Sequence, residues 1–166
     1  SSIGNAIRFD CAGAMFIADY TGHNILRVDI PSRALTVYAH DDRLHQPNDI
    51  AITRSGLIFA SDPNWSDSTG RIWRVGPDCI FRLLEDGMGT TNGIEVSPDE
   101  RSLYVNESVQ RQIWAYDLSA EGELSRKRLL VEFPDFGLDG MRCDCTGALY
   151  VTRWGKGVVA KVTPQG

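Results

Sequence analysis

A chain of 166 residues, 42% apolar and 23% charged, is long enough to bury a hydrophobic core and has the make-up of a globular domain. Its 17 basic and 22 acidic residues leave a net charge of −5, which argues against non-specific binding to nucleic acid or an anionic membrane. No stretch approaches the roughly 20 apolar residues of a membrane-spanning helix.

Taken in chain order, four segments open in the same way. They are Asn5–Asp10, Asn48–Thr53, Asn92–Ser97 and Asp139–Asp144, each a short amide or acid followed by alternating apolar residues. Their starts lie 43, 44 and 47 residues apart, which is the length of a four-stranded propeller blade. After each opener comes a turn: Cys11–Gly13, Arg54–Gly56, Pro98–Arg101 and Cys145–Gly147. Second strands are expected from Met15, Leu57, Leu103 and Leu149, and third strands from Asn24, Arg71, Gln112 and Val158. Fourth strands are expected around Ala34–Ala39, Ile80–Leu84 and Arg128–Phe133, with none after Val162. Helical periodicity is lacking throughout. A β-sandwich also has short strands and frequent turns, but nothing in it would repeat at blade length. The expectation is an all-β chain, a partial β-propeller domain over residues 1–166 with blades at about 5–40, 48–85, 92–133 and 139–166.

Cys11, Cys79, Cys143 and Cys145 show no metal-binding C-x-x-C spacing, and Cys143 and Cys145 are too close to bridge each other without strain. Reduced thiols, and with them a cytoplasmic setting, are the expectation.

The innermost strand of each blade lines a propeller's central channel, so residues at equivalent positions converge on one mouth of it. Asn5, Asn48, Asn92 and Asp139 hold that position. A ring of amide and carboxylate oxygens suits a hard cation such as Ca2+, with Mg2+ or Mn2+ as substitutes. None of the four is His or Cys, which argues against zinc or copper as the preferred ion. Asn and Asp also begin strands simply because they favour turns. A single opener would mean no more than that; four in register point to a metal.

The run Gln46–Ile52 through Phe59–Pro63, then Thr91–Asp99, then Gly137–Met141 with Gly147–Thr152, resembles the SMP-30/gluconolactonase/luciferin-regenerating-enzyme family. The resemblance implies about four blades of a six-bladed fold, a fragment lacking the first and last, with the remaining blades or a second copy needed to complete the ring. It implies that Asn92 and Asp139 ligate a divalent metal and that Asn48 is a ligand or positions substrate. The family's glutamate ligand on its first blade has no counterpart here, and Asn5 sits on a blade that usually adds none. Ca2+ is the expected ion, and Zn2+ is admitted because the family accepts several divalent ions. The implied activity is hydrolysis of a small-molecule, sugar-type lactone, with Asp139 as general base, Asn48 and Asn92 orienting the reactants, and Asp49 supporting Asn48. Two alternatives stay open: a phosphotriesterase like the related diisopropyl fluorophosphatases, and a non-catalytic propeller surface. Asp62 reads as a solvated loop acid before a contact for substrate hydroxyls, Glu107 as solvated or structural, Trp154 as a packing residue or the floor of a sugar pocket, and His45 as a candidate acid or base.

Overall fold

The computed structural model describes residues 2–166 and contains fifteen strands and no helix. Four consecutive antiparallel meanders form four separate sheets. The first holds β1 (Gly4–Phe9), β2 (Met15–Asp19), β3 (Asn24–Asp29) and β4 (Ala34–His40). The second holds β5 (Ile50–Ile52), β6 (Ile58–Asn64), β7 (Thr69–Val75) and β8 (Phe81–Met88). The third holds β9 (Thr91–Val96), β10 (Ser102–Glu107), β11 (Gln112–Leu118) and β12 (Leu124–Glu132). The fourth holds β13 (Met141–Cys143), β14 (Leu149–Arg153) and β15 (Val158–Val162). These are propeller blades, as the repeat predicts. Strand β12 starts at Leu124, earlier than its apolar residues suggest, because a tight turn from Ser119 to Gly122 returns the chain at once.

The same local chemistry closes the first hairpin of every sheet. Asp10, Thr53, Ser97 and Asp144 each end the opener, and each side-chain oxygen accepts a backbone N–H from the far side of the turn, at Ala14, Leu57, Ser102 and Ala148. Such side-chain caps mimic a backbone turn. Gly13, Gly56 and Gly147 take the left-handed conformation that these turns need, and Glu100 takes it in the third sheet.

Sheets pack face to face through three apolar clusters. Phe16, Ile25, Trp73 and Phe81 join the first sheet to the second. Phe59, Ile72, Ile94 and Tyr116 join the second to the third, and Ile113, Leu138, Met141 and Val151 join the third to the fourth. Fully burying side chains of this size contributes on the order of 2–3 kcal/mol each, so the neighbouring sheet, not the isolated meander, holds each blade in place. Among the described residues no helix is long and apolar enough to cross a membrane. All four cysteines are unpaired, and burial pushes the Cys143 thiol up to about 12.

Candidate functional site

The four openers reach one place by different local routes. Asn5 and Asn92 lie within β1 and β9, whereas Asn48 and Asp139 lie just before β5 and β13. Backbone bonds to the second strand fix the latter two: Asn48 N–H donates to Ser61 O at 2.9 Å, and Asp139 N–H to Thr152 O at 3.0 Å. Side chains then tie the sheets across. Asn5 Nδ2 donates to Asn48 O at 3.1 Å, Asn92 Nδ2 to Leu138 O at 3.5 Å, and Asn106 Nδ2 to Asp139 O at 2.7 Å. The approach is close enough that a Cβ on Gly93 would sit 2.6 Å from both Asn106 Nδ2 and Asp139 O. Glycine directly after Asn92 is therefore required for the fourth opener to sit where it does.

All four openers line a cavity of about 550 Å3, whose rim carries Trp65, Val109, Phe136 and Trp154. The same four line a second cavity of about 370 Å3, shared with Asp49 and Arg142. The ring is thus a common boundary of the two. Asn92 Oδ1 is buried and has no hydrogen-bond partner among the described residues. An orphaned buried acceptor costs about 1–3 kcal/mol, so it marks a place where a donor or a cation belongs. Among the described residues no three His, Cys, Asp or Glu side chains cluster. The donor set is three amides and one carboxylate, all oxygen, which fits a hard cation better than a soft one.

Behind the ring lies a charged layer with one residue from each sheet. Arg8 Nη2 is 3.0 Å from Asp49 Oδ1 and 3.7 Å from Glu95 Oε2, while Arg142 Nη1 is 3.6 Å from Asp49 Oδ2. Asp49 also accepts Ile94 N–H at 3.3 Å and Ile50 N–H at 2.9 Å. Its carboxylate therefore clips the third sheet two residues beyond Asn92, a wider role than support of Asn48 alone. Burial pushes Glu95 up to about 7, opposed by Arg8 and Arg142 and reinforced by Asp49. Burial likewise lowers the Arg8 guanidinium, against the pull of Asp49. The sequence holds a signal for this layer: three residues after each opener stand Arg8, Ala51, Glu95 and Arg142.

Asp62 is not a solvated loop acid. It is 0% exposed, accepts N–H from His45 at 2.8 Å, Gln46 at 2.7 Å and Trp73 Nε1 at 2.9 Å, and burial raises its pKa. Its equivalents fourteen residues after the other openers, Asp19, Asn106 and Arg153, are buried as well. Asp62 clamps the segment that enters the second opener, and Arg153 does the same for the fourth by donating to Asp135 and Phe136. Glu107 is buried and accepts Gly89 N–H at 2.8 Å, which makes it structural. Trp154 is 69% exposed and lines the large cavity, so it is not a packing residue. His45 lies apart from the ring, on a side cavity of about 230 Å3 bounded by Trp65.

Known proteins share the sequence pattern and the fold. The family model of the SMP-30/gluconolactonase/LRE-like region matches residues 1–166. A gluconolactonase of Zymomonas mobilis is 30% identical over 172 residues, covering 89% of this chain and 48% of its own length. A pentonolactonase of Haloferax volcanii is 30% identical over 122 residues, covering 72% of this chain and 42% of its own. Among solved structures, a gluconolactonase from Xanthomonas campestris superposes with a TM-score of 0.77 at 25% identity, over 97% of this chain and 62% of that one. The calcium-binding regucalcin of Agrobacterium tumefaciens shares the fold, with a TM-score of 0.83 at 22% identity over 99% of this chain and 58% of that one. The chain spans about half the length of the curated relatives it matches. By its whole length and by its repeat, the chain belongs to the SMP-30/gluconolactonase/LRE-like family.

Proposed function

We propose that the protein hydrolyses small, sugar-type lactones with the help of a divalent cation, Ca2+ before Zn2+, Mn2+ or Mg2+. The observation that carries this reading is the orphaned Asn92 Oδ1 on the same cavity as Asn48 and Asp139. Asn48, Asn92 and Asp139 would hold the ion. When bound, it supplies Lewis acidity at the lactone carbonyl oxygen. Asp139, exposed to the cavity in this chain, takes a proton from the attacking water as general base. The Asn48 and Asn92 amides orient the carbonyl and the water, and Asp49 holds the inner strands that carry them. Ring opening then gives a hydroxy acid. Names of relatives at 30% identity, gluconolactonase and pentonolactonase, support the substrate class.

The test is hydrolysis of gluconolactone by the full-length protein, with and without chelator, beside Asp139→Asn. The expected result is chelator-sensitive turnover that drops by about 100-fold or more in the variant. Absence of turnover in metal-loaded, full-length protein would overturn the reading. The apolar rim of Trp65, Val109, Phe136 and Trp154 favours a second reading, hydrolysis of a phosphotriester with an apolar leaving group. Faster turnover of diisopropyl fluorophosphate than of gluconolactone would put that one first.

A further inference from the structure

The large cavity carries one cation, Arg111, which plays no part in the ring. It ends the hairpin between β10 and β11, where its N–H donates to Glu107 O at 2.8 Å and its φ is 62°. That is left-handed backbone, uncommon for a long side chain and found where surrounding structure over-determines it. The residue just before the third strand is left-handed in every sheet, and it is His23, Ser68 and Gly157 in the other three. Arginine is therefore not what this turn asks for. Two bonds orient it: Arg111 O accepts Phe133 N–H at 2.9 Å, and Arg111 Nε donates to Phe133 O at 3.3 Å. The two terminal nitrogens remain. Among the described residues no carboxylate pairs with this half-buried guanidinium. A fixed fork of N–H donors, held by its Nε and facing a cavity, is suited to gripping two oxygens at once.

We propose that Arg111 is a specificity-determining residue that donates to vicinal hydroxyl oxygens of a polyhydroxylated lactone, away from the reacting carbonyl. The assignment rests on the lactone reading for its substrate class. The ring holds the reacting end, Arg111 holds the hydroxyls, and the apolar face of the sugar ring lies against Trp65 and Trp154. A lactone without hydroxyls gains nothing from Arg111, so the residue separates the two classes.

The experiment uses the full-length protein and its Arg111→Gly, Arg111→Met and Arg111→Lys variants. Equilibrium binding of gluconolactam, a polyhydroxylated ring that resists hydrolysis, should weaken about tenfold or more in Arg111→Gly and Arg111→Met, and less in Arg111→Lys. KM for gluconolactone should rise in parallel while kcat stays within about threefold, and kcat/KM for δ-valerolactone should stay within about twofold. The thermal midpoint of Arg111→Gly should hold or rise, because glycine relieves the left-handed position. A merely structural role would instead lower that midpoint and weaken both substrates alike. Unchanged lactam binding in the variants, equal losses on both lactones, or no lactam binding by the wild type would overturn the proposal. Lactam binding that depends on Arg111 in a protein that does not turn over gluconolactone would sink the lactonase reading and leave this assignment standing.

Discussion

The first and fourth sheets each present one face to no neighbour among the described residues, and the two faces differ in kind. On the first, cross-strand register lines up Phe9, Met15, Val28 and Leu35 in one row and Ile7, Ile17, Leu26 and Val37 in the next. All eight are apolar, and Leu35 is 60% exposed. On the fourth, the corresponding face carries Arg142, Tyr150 and Lys161 in one row and Thr152 and Val159 in the other. There Lys161 Nζ lies 5.1 Å over the Tyr150 ring, a cation–π contact on a face that meets water. Both faces obey the same strand alternation, yet only the second has the composition of a surface. The first has that of the packed interfaces between sheets.

Substitutions on covered and free faces sharpen this contrast, and the largest effects belong to the covered ones. Trp73→Ala, in the cluster between the first two sheets and 1% exposed, should cost about 3–5 kcal/mol in denaturant unfolding. Asp62→Ala strips the shared acceptor from three N–H groups and should cost about 2–4 kcal/mol by the same measurement. Gly93→Ala forces a Cβ against Asn106 and Asp139. It should lower stability by about 1–3 kcal/mol and reduce lactone turnover more than Trp73→Ala does at equal stability, because it moves an opener.

Glu95 gives a pH signature of about 1–3 kcal/mol. Its folded pKa of about 7 lies above the ordinary 4.5, so the folded state favours the protonated acid. Stability should therefore fall as pH rises from about 4.5 through 7 and level off above that, and Glu95→Gln should remove this slope from unfolding measured across the range. Smallest of all, Leu35→Lys on the free apolar face should change the stability of the chain by less than about 0.5 kcal/mol. A loss of about 2 kcal/mol or more would break the comparison, because it would mean that the face is covered in solution.

The repeat made the blades legible: opener, turn and second strand recur at residue types whose local chemistry is self-contained, as with Asp10, Thr53, Ser97 and Asp144. The ring was legible for the same reason, since Asn5, Asn48, Asn92 and Asp139 share a repeat position and so share a cavity. Asp62 was misread because its partners, His45 with Gln46 and then Trp73, approach from two separate segments, and nothing beside it in the chain announces burial. Asp49 was noticed only as support for Asn48, and its partners Arg8, Glu95 and Arg142 escaped notice although they share one register, three residues after their openers. Charge on an inner strand reads as solvent-facing until the opposing sheets are seen to supply its counter-charge. The sequence leaves Trp154 between packing and a pocket floor because large aromatics are mostly buried, whereas here the β14–β15 turn holds it at the cavity.

One consequence of this construction concerns descent rather than stability. Each sheet hands the site a single vertex: one residue to the oxygen ring, one to the layer of charge behind it, and one buried polar residue fourteen positions after the opener. Each vertex keeps its own strand backbone, and its ties to the others run through a few named side chains such as Asn5, Asp49 and Asn106. Arg8, Ala51, Glu95 and Arg142 already show three different residue types at one repeated slot. A duplicated module of this kind can therefore change what it recognises one corner at a time, without asking the fold to be solved again.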